Sequence, residues 1–157
     1  MRPHGVVMVV VAVAVGLGPG MSLADPSAPG VEQRRQPLPV ADAEREYDRG
    51  VRARVAQDWA AAAAAFRRAV ALRAAFPEAW NELGFALRNQ GRYAESLTAY
   101  DEALRQRPRF PEALEYLGEA YVKLGRLDDA RRVLDRLRPL DAARAAELAE
   151  EIRTATR

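Results

Sequence analysis

The side chains that most often carry chemistry are nearly absent from this 157-residue chain: it has no cysteine, and its single histidine is His4. Without a thiolate there is no disulfide framework, no soft-metal site, no thiol nucleophile and no cysteine to accept a lipid. Beyond residue 4 the commonest general base and metal ligand is missing as well. Carboxylates and hydroxyls remain. The acidic pairs Asp128-Asp129 and Glu150-Glu151 could perform acid–base work or hold a hard cation only if both carboxylates met at one point. Neighbours on a helix point about 100° apart, so both pairs are read as surface charge. Ser96 and Thr98 have no histidine to activate them. Gly16-Leu17-Gly18 is not followed by the lysine of a phosphate-binding loop. The residue inventory therefore predicts no catalytic residue, no metal, no cofactor and no enzyme.

Charge leads to the same class of reading. Basic residues number 24 and acidic residues 22, giving a formal charge of +2, and Lys123 is the only lysine. The arginine pairs Arg34-Arg35, Arg67-Arg68 and Arg131-Arg132 are scattered rather than gathered on one face, so no nucleic-acid partner is expected. With 49% hydrophobic residues, the chain can bury one ordinary core.

The first 24 residues read as a leader. Arg2 precedes the apolar run Val6 to Val15, glycines and Pro19 follow, and Ser22-Leu23-Ala24 offers the small residues a signal peptidase requires. The run falls short of the roughly 20 residues that span a bilayer. Cleavage after Ala24 is expected, giving an exported chain, periplasmic or secreted, without stable membrane insertion. Residues 25–41 carry Pro26, Pro29, Pro37 and Pro39 with no periodicity, which predicts an extended or disordered linker.

From residue 42 the chain repeats itself. A shift of 34 residues aligns Gly50 with Gly84 and Gly118, Trp59 with Tyr93 and Leu127, and Phe66 with Tyr100 and Leu134. Ala69, Ala103 and Leu137 also coincide, as do Gly91 with Gly125 and Pro77-Glu78-Ala79-Trp80 with Pro111-Glu112-Ala113-Leu114. Such a period signals a stacked array of supersecondary units. The stretch from Trp80 to Pro108 resembles the tetratricopeptide repeat family, matching it at Trp80, Leu83, Gly84, Gly91, Tyr93, Tyr100, Ala103 and Pro108. The resemblance implies an all-α solenoid of about three antiparallel helical hairpins, covering 42–138 in repeats of about 43–76, 77–110 and 111–138. Small residues are expected where paired helices approach: Gly84 with Ser96, Gly50 with Ala62, and Gly118 with Ala130. Trp59, Phe66, Leu117 and Tyr121 join the set that packs the repeats. Gly91 and Gly125 suit the left-handed end of a first helix, and Pro77 and Pro111 suit a first turn. The copies depart from the family at Glu46, Arg49 and Gln57, and at Leu114. Residues 139–157 read as a capping helix begun by Asp141, with Leu148 and Ile152 facing back and Arg144, Glu147, Glu150, Glu151 and Arg153 outward.

In this family the first helices of successive repeats line a concave groove that takes a protein or peptide partner. The corresponding positions are Tyr47, Val51 and Arg54, then Asn81, Phe85 and Arg88, then Glu115, Glu119 and Val122. Tyr47 and Phe85 are expected to anchor apolar side chains, Asn81 to bond an extended backbone, and Arg54 and Arg88 to take carboxylates. One subfamily grips acidic chaperone tails with basic and amide residues. Tyr47, Val51, Glu115 and Glu119 do not fit that pattern. The expected function is an exported adaptor or scaffold in a cell-envelope complex; the alternative is a self-associating module that forms a homo-oligomer.

Overall fold

The computed structural model describes residues 39–156; the expected leader, and the linker as far as residue 38, lie outside the described residues. Among the described residues there are seven helices and no strand: α1 Pro39–Val55, α2 Trp59–Leu72, α3 Pro77–Asn89, α4 Tyr93–Gln106, α5 Pro111–Lys123, α6 Leu127–Leu137 and α7 Ala142–Ala155. Helices α1–α2, α3–α4 and α5–α6 form three successive hairpins, α2 packs on α3 and α4 on α5, and α7 closes the array against α5 and α6. This is the expected all-α solenoid with its capping helix. One boundary differs, because α1 begins at Pro39, inside the stretch expected to be extended. A first helical turn has no use for the amide that proline lacks, and Asp42 adds a carboxylate at the positive end of the helix.

Local chemistry accounts for the breaks between helices. The Asp58 carboxylate accepts from the Ala61 amide at 2.9 Å and starts α2. The Asp141 carboxylate accepts from the amides of Ala143 and Arg144 at 3.1 and 3.0 Å and starts α7. Gly91 and Gly125 turn the chain with φ of 74° and 68°. The first hairpin makes the same turn at Gln57, φ 57°, where a Cβ costs roughly 1–2 kcal/mol.

Within each of the first two hairpins a ring fills the space beside a glycine. A Cβ on Gly50 would lie 2.5 Å from the Phe66 ring, and one on Gly84 would lie 2.6 Å from the Tyr100 ring. Ala62, Ser96 and Ala130, expected to be the close partners, are fully buried, yet they are not the nearest atoms. In the third hairpin Leu134 replaces the ring, and the space beside Gly118 is taken by Leu148 of α7, 2.4 Å from a Cβ position. The core runs in two clusters, one around α2 and α3 and one from α4 to α7, and Trp80 packs against both. Its indole donates to the Ala74 carbonyl at 2.9 Å, as does the Gln106 amide. No helix among the described residues is long and apolar enough to cross a membrane.

Candidate functional site

Helices α1, α3 and α5, the first of each hairpin, are joined along one face by side chains that reach across. Arg54 of α1 lies 3.1 Å from Glu82 of α3, and Arg88 of α3 is paired with Glu119 of α5. Between them the Phe85 and Tyr116 rings meet at 5.0 Å. The Arg88 guanidinium lies over both rings, 5.2 and 5.1 Å from their centres, so its charge is held by a carboxylate and two π-faces together. Phe85 also meets Trp59 edge-on at 5.8 Å. The result is a continuous aromatic and ionic band on the inner face.

A second set of ion pairs recurs with the repeat. Arg73 bonds Glu44 at 3.2 Å while its guanidinium lies 3.5 Å above the Phe76 ring. One repeat later Arg107 bonds Glu78 and lies 4.7 Å from the Phe110 ring. Burial is the largest single influence and acts to raise the Glu78 carboxyl, but the Arg107 hydrogen bond, a backbone hydrogen bond and the charges of Arg107 and Arg73 together outweigh it and hold the group below the ordinary range. The next members of the series are Glu112 and Asp141, so in the third hairpin the arginine is replaced by an acid.

The expected groove residues fare differently. Phe85 and Val51 sit half-buried on the inner face, and Val122 does so at its far end. Tyr47 lies 5.6 Å from Phe66 and 5.0 Å from Phe76, so its ring belongs largely to the core. Burial and the nearby Glu82 and Glu78 push its hydroxyl pKa up. Arg54 and Arg88 are not free to take a ligand carboxylate, because each already holds one from the neighbouring hairpin. Glu115 is 5% exposed and bonded to Arg144 of α7, and burial still pushes its carboxyl up. Arg144 was expected to face outward; it turns back because Glu115 would otherwise be a buried, unpaired charge. Asn81 is 1% exposed, and its Oδ1 has no hydrogen-bond donor.

Among the repeat-packing residues, Leu83, Ala103 and Leu117 are buried, Trp59, Tyr93 and Tyr121 are half-buried, and Pro108 is exposed. Two parts of the inner face escaped the sequence reading. Tyr116 is one, and the pairing of Arg54, Arg73, Arg88, Arg107 and Arg144 with glutamates is the other. The repeat spacing of Glu44, Glu78 and Glu112 and of Arg73 and Arg107 was a signal available for the second. Where α3 and α5 end, an open cleft of about 600 Å³ has Arg88, Tyr93, Glu119, Lys123 and Glu151 among its lining. Such an open, polar hollow suits chain segments rather than an enclosed small molecule.

Comparison with known proteins matches this architecture. Two tetratricopeptide repeat models match the chain, one over residues 47–108 and one over residues 87–152. No curated protein matches it. Among solved structures, the Arabidopsis OM64 TPR domain is similar at TM-score 0.71 and 16% identity, over 74% of this chain and 98% of that one. The TPR2B domain of yeast Sti1, in its pHsp70 complex, is similar at TM-score 0.69 and 20% identity, over 74% of this chain and 97% of that one. PcrH, in complex with the chaperone binding region of PopD, is similar at TM-score 0.66 and 24% identity, over 72% of this chain and 90% of that one. At such identities these structures speak to the fold. Together with the two family models, they identify residues 47–152 as tetratricopeptide repeats.

Proposed function

We propose that this protein is an exported adaptor that holds an extended segment of another protein along the inner face of α1, α3 and α5, without catalytic chemistry of its own. The observation that carries this reading is the Phe85–Tyr116 ring pair, half-buried on the inner face, beside the buried and unpartnered Asn81 amide oxygen. Rings with one open side anchor apolar side chains, and an unmet acceptor suits a backbone amide. Sti1 and PcrH, which share the fold, were each solved with a peptide or protein segment, and that supports a protein partner here. The apolar leader and its Ser22-Leu23-Ala24 end support a partner in the cell envelope.

The test is affinity capture from an envelope fraction with the wild-type chain, a Tyr116→Ala inner-face variant and an Arg131→Ala outer-face variant. Each variant is first checked for wild-type helicity. A partner retained by wild type and Arg131→Ala but lost by Tyr116→Ala is the expected outcome. Equal retention by all three moves the site off the inner face, and capture of only the chain itself replaces the adaptor with a self-associating module.

A further inference from the structure

The inner face has spent its positive charge on itself. Five arginines, Arg54, Arg73, Arg88, Arg107 and Arg144, are held by Glu82, Glu44, Glu119, Glu78 and Glu115 respectively. Glu112 is left over: among the described residues no basic group pairs with it, and its one side-chain partner is the Tyr116 hydroxyl, which donates at 3.3 Å. In the two preceding hairpins the equivalent glutamate has its own arginine, stacked on a phenylalanine. In the third, that place is held by Asp141, which is committed to starting α7. Asp141 and Glu115 then share Arg144, so three carboxylates at this end have one cation among them.

An independent observation points the same way. Phe85 meets Tyr116 and Arg88 meets Glu119, each pair 31 positions apart. The same register sets Asn81, one turn before Phe85, alongside Glu112, one turn before Tyr116. Asn81 is 1% exposed and its Oδ1 lacks a donor, while neighbouring Glu82 faces Arg54 at 3.1 Å. Burial holds the Glu82 carboxyl above its ordinary range, and Glu112 adds to this, in spite of Arg54. A buried acceptor without a donor, beside an unneutralised carboxylate and an aromatic ring, calls for a cationic donor.

We infer that the third hairpin's end of the inner face receives a lysine or arginine side chain of the bound segment, which bonds Glu112 beside the Tyr116 ring and supplies the counter-charge that Arg73 and Arg107 give the equivalent glutamates in the earlier hairpins. The partner is thus a segment carrying basic residues, not an acidic tail. This inference rests on the inner-face adaptor reading.

The experiment measures binding of the chain to three random heptapeptide libraries whose central residue is arginine, norleucine or glutamate, and repeats it with Glu112→Gln. A second variant, Glu112→Lys, supplies the cation from the protein itself. The arginine library is expected to bind at least roughly tenfold more tightly than the glutamate library, as a charge-assisted hydrogen bond allows. That preference should disappear in Glu112→Gln and reverse in Glu112→Lys, while norleucine peptides bind all three proteins alike. Binding that ignores the central charge, or a preference unchanged in Glu112→Gln, overturns the cation site and leaves the adaptor reading standing. No binding of any library overturns both.

Discussion

Tyr100 shows how one side chain settles two demands at the residue scale. Its ring fills the hollow beside Gly84 as Phe66 fills the one beside Gly50, but it also buries a hydroxyl that has no partner. Burial pushes the phenol far above its ordinary value of 10.0. An acid whose pKa is raised by folding contributes stability below its unfolded pKa, and loses it as pH rises beyond that value. Tyr100→Phe is therefore expected to stabilise the protein by about 1 kcal/mol at neutral pH, since the unsatisfied hydroxyl goes and the ring stays. The gain should widen above about pH 10, where the unfolded tyrosine ionises. Urea unfolding at pH 7 and pH 10.5 measures both; a loss of stability at pH 7 would mean that the hydroxyl is bonded.

At the scale of the element, α7 does more than solvate the end of the array. Leu148 enters the space beside Gly118 that a ring from the hairpin's own second helix fills in the earlier repeats. Arg144 neutralises the buried Glu115. The helix supplies both an apolar side chain and a counter-charge that the third hairpin lacks. Leu148→Ala is expected to cost about 2–5 kcal/mol, the range for a fully buried leucine whose surroundings cannot collapse. Thermal unfolding followed by circular dichroism gives the value, and a cost under about 1 kcal/mol would show that α7 is only loosely docked.

Each hairpin of the whole molecule touches only its neighbours, so stability is shared along the array rather than around one centre. Two clusters joined by Trp80, with α3, α4 and α5 covered on both sides, predict a gradient of protection. Amide hydrogen exchange should be slowest in α3 to α5 and fastest in α1 and the last turn of α7. Equal protection throughout would instead indicate one cooperative unit. The recurring ion pairs add little net stability where they are solvent-exposed, as at Arg73–Glu44.

Repeat length, hairpins, turns and the capping helix were legible in the chain because each has a local cause: glycines beside buried rings, glycines at positive φ, prolines in first turns, and apolar residues at helical spacing. The start of α1 at Pro39 was not, since a proline-rich stretch and a proline-led helix look alike before tertiary contacts choose between them. The groove was legible as a set of positions but not as a set of available groups. Whether Arg54 and Arg88 are free depends on Glu82 and Glu119, which lie about 30 positions further on and come within reach only when the hairpins stack. The same stacking turned Arg144 inward and left Glu112 without a paired cation among the described residues. Backbone periodicity is written in neighbouring residues, whereas charge pairing is decided by distance in space, and distance exists only once the array is assembled.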